Sequence, residues 1–272
     1  MNAIYGKVAL ISGGAAGIGL HYAKELLRNG LRAVTLADVS EERGKHAVEE
    51  LTKEFGGSRS LFVKTDVTDK EQFAEAFERT VDTFKNIDML VNNAGIMNDA
   101  VWERQIGINF VGTIIGCILA LHHYLPKYKT ANEGIIVNVA STTGLEVFGA
   151  IPVYVATKHA VVGLTQSWGT ESHYKRTQVR FLALCPGPTD TTLALDGLDK
   201  NLGPAYQDIF RESQPFVTLQ GPEYVAKGLL HAIEHGENGS IWVVEDSEVP
   251  YEVVIPSREK LKIINYHDSE LM

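Results

Sequence analysis

Residues Lys7 to Gly19, KVALISGGAAGIG, decide the fold of this chain. The first six, KVALIS, are a short apolar, β-branched run, which predicts a buried strand ending at Ser12. Gly13, Gly17 and Gly19 follow, and a helical pattern comes after them. A glycine-rich turn between a strand and a helix lets the backbone approach a pyrophosphate, and the helix N-terminus offers free N–H groups. The stretch therefore predicts a strand–turn–helix unit with a phosphate cradle.

The spacing of the three glycines, Gly-x-x-x-Gly-x-Gly, differs from the Gly-x-Gly-x-x-Gly of the common dinucleotide fingerprint. A glycine-rich turn after a strand can also be purely structural. The strand before this turn and the helix after it favour phosphate binding.

Outward from this unit, short apolar strands alternate with helical patterns. The predicted strands are Lys7 to Ser12, Arg32 to Asp38, Ser60 to Thr65, Ile87 to Val91, Gly134 to Ala140, Val179 to Leu184 and Ser240 to Val244. Such alternation with short connections is typical of a parallel, doubly wound sheet. We therefore expect a single α/β domain over residues 1–272, a Rossmann fold whose seven-stranded parallel sheet carries helices on both faces.

Six main helices are expected among these strands, and two of them and two irregular segments bear on the site. One long helix is expected from Val101 to Leu125, stopped by Pro126, and another from just after Pro152 to near Lys175. Residues 189–221 have weak periodicity, which indicates a substrate loop or lid. The tail, residues 245–272, contains the apolar run PYEVVI and is expected to cover the substrate cleft or to lie at a subunit interface.

Composition excludes several classes of function. Hydrophobic residues make up 44% of the 272 residues, the formal net charge is −9, and no basic run interrupts it. Nucleic acid and anionic membranes are therefore not expected as partners. The longest apolar stretch, Ile114 to Leu121, is far short of a membrane span, and the N-terminus does not resemble a signal peptide. Cys117 and Cys185 are expected as buried free thiols and no metal-ligand spacing is present, which favours a soluble cytoplasmic protein without a metal.

An acid at the end of the second strand indicates the nucleotide. Asp38 lies 19 residues after Gly19, where a carboxylate would bind the ribose hydroxyls of an adenosine and repel a 2′-phosphate. The nearest cation is Arg43, so NAD is favoured over NADP. Asp38 could instead only cap a loop. Asp66, at the end of the third strand, is placed to meet adenine or to initiate a turn.

Tyr154 and Lys158 form the candidate catalytic pair. On a helix, residues four apart lie on one face, and an ammonium beside a phenol lowers its pKa. Such a pair can accept a proton near neutral pH. About one Tyr-x-x-x-Lys/Arg is expected by chance in a chain of this composition, so the pair alone is weak.

Together these residues resemble the classical short-chain dehydrogenase/reductase family. The matching pieces, in family order and spacing, are Ser12 to Gly19, Asp66-Val67, Asn92 to Gly95, Asn109, Ser141, Tyr154-x-x-x-Lys158 and Pro186-Gly187. Ser12 stands where the family usually has threonine. Within the family, the segments around Tyr154 and Lys158 are similar to the branch of insect alcohol dehydrogenases and 15-hydroxyprostaglandin dehydrogenases.

The resemblance implies a role for each matching residue. Tyr154 would be the catalytic acid/base, Lys158 would lower its pKa and hold the nicotinamide ribose, Ser141 would bind the substrate oxygen, and Asn109 would hold a water that relays protons. It also implies NAD as cofactor and a homodimer or tetramer. The expected cofactor-binding residues are Ser12, Gly13, Gly17, Ile18, Gly19, Asp38, Val39, Asp66, Val67, Asn93, Ala94, Gly95, Tyr154, Lys158, Pro186, Gly187, Thr189 and Thr191.

One position departs from the prostaglandin enzymes. They are expected to carry glutamine three residues before the catalytic tyrosine, and this chain has Ile151. With Leu145, Val147 and Phe148 it would form an apolar wall, next to Ser141 and Tyr154, for a lipophilic primary or secondary alcohol. We expect NAD-dependent oxidation of such an alcohol. The alternatives are oxidation of hydroxylated fatty acids of the 15-hydroxyprostaglandin type and an idle NAD-binding regulator.

Overall fold

A computed structural model describes residues 3–195, 200–213 and 218–262. One sheet runs through the described residues. Its strands are β1 (Val8–Ser12), β2 (Ala33–Asp38), β3 (Ser60–Lys64), β4 (Met89–Asn92), β5 (Gly134–Val139), β6 (Val179–Pro186), β7 (Ile241–Val244) and β8 (Tyr251–Val253). Their order across the sheet is β3-β2-β1-β4-β5-β6-β7-β8. The strand order reverses between β1 and β4, so a crevice opens outside their carboxyl ends.

Helices cover both faces of this sheet, as predicted. The described helices are α1 (Gly17–Arg28), α2 (Glu41–Phe55), α3 (Lys70–Phe84), α4 (Trp102–Ile106), α5 (Thr113–Leu119), α6 (Leu125–Tyr128), α7 (Pro152–Trp168), α8 (Glu171–Thr177), α9 (Thr192–Leu195), α10 (Pro204–Ser213) and α11 (Pro222–His235). Neighbouring residues of β1 point to opposite faces because side chains alternate along a strand. Ile11 packs in the core cluster formed with α1 and α11, and Leu10 packs in the cluster formed with α3 and α5.

The sheet has one strand more than the seven predicted. Strands β1 to β7 pair in parallel, and β8 pairs antiparallel with β7 through Ile241–Val253 and Val243–Tyr251. The extra strand comes from the apolar run of the tail. It is only three residues long and its Tyr251 and Glu252 are exposed, so its sequence carries no strand periodicity strong enough to predict it. The hydroxyl of Tyr251 donates to Glu245, which ties β8 to the end of β7.

The long helix differs from its predicted form. The helical segment Asp99–Tyr128 contains a 3-10 turn, α4, α5 and α6, with π-helical stretches at Gly107–Gly112 and Ala120–Tyr124. Pro126 does not stop it, because the segment continues through α6 to Tyr128, with Pro126 directly after the second π-helical stretch.

The catalytic-pair helix is also shorter than predicted. It begins at Pro152 itself and ends at Trp168 instead of continuing to Lys175. Gly169 follows as the C-terminal cap, and the separate helix α8 starts at Glu171. A glycine commonly ends a helical run, and the polar residues of α8, none of which is buried, continue no apolar face beyond Gly169.

By length and composition alone, one helical segment within the described residues could cross a membrane. Asp99–Tyr128 has 30 residues and a mean hydropathy of 1.6 in its most apolar window. The segment packs against α3, β4 and α7, and Cys117 and Ala120 on it are fully buried. These contacts are those of a helix in a protein core.

The predicted substrate loop, residues 189–221, contains two helices. In its described residues these are α9 and α10, and an isolated bridge between Thr189 and Gln220 joins the two ends of the loop to each other. Residues 196–199 and 214–217 of this loop, and residues 263–272 of the tail, lie outside the described part of the chain.

Candidate active site

A cleft of about 990 Å³ opens at the carboxyl ends of the parallel strands. Its walls include most of the residues predicted to bind cofactor or substrate, although these residues are scattered over the chain. They are Gly13, Gly17, Ile18, Asp38, Val39, Asp66, Val67, Asn93, Ala94, Gly95, Ser141, Phe148, Ile151, Tyr154, Lys158, Pro186, Gly187, Thr189 and Thr191. The parallel sheet explains this gathering, since each segment follows a strand that ends at the same edge.

The glycine turn forms one end of the cleft. Gly13 and Gly17 have φ of +63° and +53°, a left-handed conformation that side chains other than glycine rarely adopt. A Cβ on Gly19 would overlap the carbonyl oxygen of Gly13, and one on Gly13 would lie 2.9 Å from Ala94 Cα. Gly19 does not line the cleft itself, but it allows the helix to start directly behind the turn.

Hydrogen bonds between Ser12 and Asn93 join this turn to the segment that follows β4, the strand beside β1 in the sheet. The Ser12 hydroxyl accepts hydrogen bonds from the backbone N–H groups of Asn93 (3.0 Å) and Ala94 (3.1 Å). In return, Asn93 Nδ2 donates to the carbonyl oxygens of Ser12 and Gly13, both at 3.0 Å. Ser12 is buried and supports the cleft wall from behind, in the way a threonine hydroxyl at this position would.

The N-terminus of α1 is suited to an anion. Ala16 occupies the N-cap position, no side chain caps the first turn, and Gly17 and Ile18 of that turn line the cleft. Its backbone N–H groups therefore face the cavity, together with the positive end of the helix dipole. The turn and this helix end fit a dinucleotide pyrophosphate.

The acid at the end of β2 lies beside this turn. Asp38 Oδ2 accepts from the N–H of Ala15 at 3.2 Å, and its Oδ1 accepts from the N–H of Ser40 at 3.0 Å. These two bonds fix the carboxylate on the cleft wall, so capping the loop and facing a ribose are compatible roles. Arg43 lines the same wall. Asp66 Oδ1 accepts from the N–H and hydroxyl of Thr68, which makes it both a turn-forming residue and part of the cleft wall.

Tyr154, Lys158 and Ser141 meet in the middle of the cleft. Tyr154 and Lys158 lie one turn apart on α7, and Lys158 Nζ is 5.5 Å from the centroid of the Tyr154 ring. Lys158 Nζ donates to the carbonyl oxygen of Val139 at 3.0 Å, which holds the side chain against the end of β5. Ser141 follows β5, and its side chain is close enough to the Tyr154 phenol to lower the pKa of that phenol.

Thr143 orients the Ser141 hydroxyl. Ser141 Oγ accepts from the backbone N–H of Thr143 at 3.2 Å and from its Oγ1 at 3.0 Å. A hydroxyl has two lone pairs and one hydrogen. With both lone pairs occupied, Ser141 has its hydrogen free to donate to the Tyr154 oxygen.

Burial controls the protonation of the pair. It raises the pKa of the Tyr154 phenol to about 12, and the hydrogen bond from Ser141 acts in the opposite direction. It lowers the pKa of Lys158 to about 8. Both shifts follow from the cost of a charge in a site that water barely reaches. Any further positive charge beside the phenol would favour its ionised form.

The structure brings Asn109 to the Asn93–Gly95 segment and not directly to Lys158. Its Nδ2 donates to the carbonyl oxygen of Ile96 (2.9 Å), and its Oδ1 accepts from the Ile96 N–H (2.8 Å). A further bond from Nδ2 reaches Thr157 Oγ1 at 3.2 Å. Asn109 lies behind the cleft wall in the first π-helical stretch, so it clamps the segment after β4 against α7. The proton relay stays a prediction.

An apolar wall extends from the catalytic pair. Ile151, Tyr154 and Val155 form a buried cluster against which Met97 and Phe148 pack. Phe148 also contacts Phe210 of α10, with ring centroids 5.7 Å apart.

Leu145 is the one predicted substrate residue that does not line this wall. It packs on the core cluster of Ala140, Val161 and Cys185, because the 3-10 turn before it directs its side chain away from the cleft.

Both cysteines are free and buried, as predicted. Burial raises the pKa of Cys117 and of Cys185 to about 12, so neither is a thiolate near neutral pH. Among the described residues, no group of three His, Cys, Asp or Glu side chains is placed to hold a metal ion.

Comparison with known proteins identifies the family. The family model described as short chain dehydrogenase matches residues 7–201, from the first strand through the beginning of the substrate loop. The chain belongs to the short-chain dehydrogenase family. It is thus an oxidoreductase of this family, as the resemblance of its motifs predicts.

Relatives of this short-chain dehydrogenase match nearly its whole length. It is 36% identical to 15-hydroxyprostaglandin dehydrogenase [NAD(+)] of Mus musculus over 90% of this chain and 92% of the relative. It is 32% identical to alcohol dehydrogenase 1 of Ceratitis capitata over 88% and 91%. The solved structure of levodione reductase has a TM-score of 0.75 and 25% identity, covering 89% of this chain and 96% of that one.

Several residues on the cleft wall escaped the sequence reasoning. They are Met97, Arg104, Glu146, Leu193, Phe210, Leu219, Glu245 and Asp246. None lies in a family motif, and most come from loops. Glu245 could have been predicted, because it directly follows β7 and ligands bind at the carboxyl ends of parallel strands. The approach of Phe210 to Phe148 had no sequence signal, because the two residues are 62 positions apart.

Proposed function

We propose that this short-chain dehydrogenase oxidises a lipophilic primary or secondary alcohol to the aldehyde or ketone and uses NAD as the hydride acceptor. The observation that carries the proposal is the meeting of Ser141, Tyr154 and Lys158 inside the cleft. The phenol has a hydrogen-bond donor on one side and an ammonium one helical turn away. This is the geometry required to bind an alcohol oxygen and remove its proton.

NAD is the proposed cofactor because the opposite end of the cleft fits it. The glycine turn and the uncapped start of α1 would hold the pyrophosphate, and Asp38 would bind the adenosine ribose while repelling a 2′-phosphate. The 15-hydroxyprostaglandin dehydrogenases similar to this chain are named for NAD(+). When bound, the nicotinamide accepts a hydride from the carbinol carbon.

The residues of the chain carry the proton chemistry in this proposal. Tyr154, as phenolate, removes the hydroxyl proton of the alcohol. The Lys158 ammonium stabilises that phenolate, and its pKa of about 8 leaves it charged at neutral pH. Both lone pairs of Ser141 are occupied by Thr143, so its one hydrogen would turn from the Tyr154 oxygen to the substrate oxygen when the alcohol binds.

A lipophilic substrate is favoured by the wall next to Tyr154. Met97, Phe148, Ile151 and Phe210 present side chains without charges or hydrogen-bonding groups. Burial of apolar substrate area against such a wall contributes roughly 25 cal/mol per Å².

Oxidation of hydroxylated fatty acids is the second candidate. The 36% identity to 15-hydroxyprostaglandin dehydrogenase favours it. Two features weigh against it: Ile151 replaces the expected glutamine, and the acids Glu146, Glu245 and Asp246 lie on the cleft wall. These carboxylates would repel the carboxylate of a fatty acid.

A matched panel of alcohols separates the two candidates. We expect 2-octanol and 1-octanol to reduce NAD with a kcat/KM at least tenfold above that of an equally long hydroxylated fatty acid, followed by NADH appearance. A fatty acid preferred by the same factor would replace the leading candidate with the second. NAD binding without turnover of any alcohol would instead indicate an idle regulator.

The remaining parts of the proposal concern the whole protein. We propose one catalytic domain over residues 1–272, a homodimer or tetramer, and a cytoplasmic location. The oligomer follows from the family resemblance, and the location from two unpaired buried thiols that suit a reducing compartment. Light scattering of the purified protein tests the oligomeric state directly.

A further inference from the structure

A buried carboxylate outside the catalytic trio holds the first turn of α7. Asp99 is fully buried, and its two oxygens accept hydrogen bonds from the backbone N–H groups of Val153 (2.9 Å) and Tyr154 (3.0 Å). Gln105 Nε2 donates a third bond, to Asp99 Oδ1, at 2.7 Å. The Asp99 side chain thus holds the backbone of Tyr154, which lies 55 positions later in the sequence.

Helix α7 has no cap of its own. Ile151 occupies its N-cap position and offers no side-chain acceptor, and Pro152 at the first position has no N–H. Val155 is the first residue of α7 whose N–H makes a helical hydrogen bond, to the Ile151 carbonyl oxygen. The N–H groups of Val153 and Tyr154 are therefore the unpaired donors of the first turn, and Asp99 satisfies both. Its negative charge also lies at the positive end of the helix dipole.

The same residue is joined to the substrate loop and to the Asn109 helix. The backbone N–H of Asp99 donates to the Lys200 carbonyl oxygen at 2.9 Å. Gln105 is fully buried, and its Oε1 accepts from the N–H of Asn98. Gln105 lies four positions before Asn109 on the same helical segment. Asp99 therefore stands where the loop, that segment and α7 meet.

We propose that Asp99 is a positioning residue for the reaction. It fixes the backbone of Tyr154, and so sets the place of the phenol relative to Ser141 and the substrate oxygen. The proposal rests on the dehydrogenase activity proposed above. Loss of the carboxylate leaves buried N–H groups unpaired, and the first turn of α7 then shifts to find partners. A small displacement of a reacting group is enough to slow a reaction strongly.

The variant Asp99→Asn tests this proposal because it keeps the shape of the side chain and replaces one acceptor oxygen by a donor. We expect kcat for alcohol oxidation to fall at least tenfold, while the Kd for NADH, measured by fluorescence, stays within twofold of wild type. This split separates positioning from a general loss of folded protein, which lowers both signals together.

Asp88→Asn is the matched control. Asp88 is equally buried, and it accepts from the backbone N–H groups of Val8 and Thr130, but it lies at the amino end of β4, opposite the cleft. We expect a lower Tm for this variant and a kcat per folded molecule within twofold of wild type. A wild-type kcat in Asp99→Asn, or an equal loss of kcat in Asp88→Asn, would overturn the proposal.

Two further measurements cover the other outcomes. If Asp99→Asn does not fold, Gln105→Met removes the side chain that holds the carboxylate, and kcat should fall at least threefold; an unchanged kcat would overturn the proposal. If the wild type oxidises no alcohol, the proposed function fails, and hydrogen exchange still tests Asp99. Exchange of the segment containing Val153 and Tyr154 should be at least tenfold faster in Asp99→Asn than in wild type, and equal rates would overturn the proposal.

Discussion

At the scale of single residues, the proposed chemistry depends on how Ser141 shifts the pKa of Tyr154. Burial raises the pKa of the phenol, and the Ser141 hydrogen bond is the opposing interaction. Alcohol oxidation needs the phenolate, so the rate rises with pH through the pKa of Tyr154. Ser141→Ala removes an interaction that lowers this pKa. We therefore expect the midpoint of the kcat/KM profile to move to higher pH and kcat to fall by roughly 10²–10³-fold.

The control for this prediction is another hydroxyl on the cleft wall. Ser213 lines the cleft, but its Oγ donates to the Phe210 carbonyl oxygen and makes no bond to Tyr154. Ser213→Ala should leave the midpoint of the pH profile where it is in the wild type. A profile for Ser141→Ala that coincides with that of Ser213→Ala would contradict the role assigned to Ser141.

Asp38 provides the second prediction at this scale. In the proposed complex its carboxylate would repel a 2′-phosphate, and Arg43 already lies on the same wall. Asp38→Ser should therefore raise the ratio of kcat/KM for NADP to that for NAD at least tenfold. Glu41→Gln removes an equal charge from a side chain that is ion-paired with Lys45 outside the cleft wall, and should leave the ratio within twofold. Equal ratios in Asp38→Ser and wild type would contradict the proposal that Asp38 selects NAD over NADP at the adenosine ribose.

Spacing along the sequence predicts which side chains lie together when both belong to the same helix or strand. Tyr154 and Lys158 could be paired because both lie on one helix face. Asp99 could not be predicted, since its partners are 54 and 55 positions away and its own segment carries no motif. Leu145 was expected on the cleft wall, and the direction of its side chain depends on a 3-10 turn that sequence alone does not specify.

At the scale of elements, the strand–turn–helix unit of β1 and α1 is the most sensitive to change. Gly19→Ala would drive a Cβ into the Gly13 carbonyl oxygen and displace the turn. We expect the Kd for NADH to rise at least tenfold, about 1.4 kcal/mol. Gly163→Ala is the control, because a Cβ at that exposed position of α7 meets no atom within 4 Å. It should leave the Kd unchanged and raise stability by up to about 1 kcal/mol. Equal Kd values in the two variants would contradict the close packing of the turn.

The sequence predicts the existence of elements better than their boundaries. The parallel strands follow from short apolar runs, which are fully buried in β1, β4 and β5. The division of the long helical segment by π-helical stretches was not predicted, because such stretches keep an almost helical spacing of apolar residues. The break of the helix at Gly169 differs, since a glycine followed by polar residues is a helix-end signal that the sequence contains.

At the scale of the whole molecule, the cleft is a product of topology. Segments distant in sequence meet because parallel strands end at one edge, and this much could be predicted from the order of the strands. The substrate end of the cleft could not be, since it depends on how the 189–221 loop and the tail fold back. Phe210 reaches Phe148 from that loop, and Tyr251 ties β8 to Glu245 at the end of β7.

Tyr154→Phe is the most direct test of the central claim that Tyr154 is the base of an NAD-dependent alcohol dehydrogenase. The substitution removes one oxygen from a ring held in a buried cluster, so the fold and the cofactor end of the cleft should be retained. We predict NADH binding with a Kd within twofold of wild type and a kcat for 2-octanol lower by roughly 10²–10⁴-fold. NADH formation by Tyr154→Phe at the wild-type rate would contradict the claim.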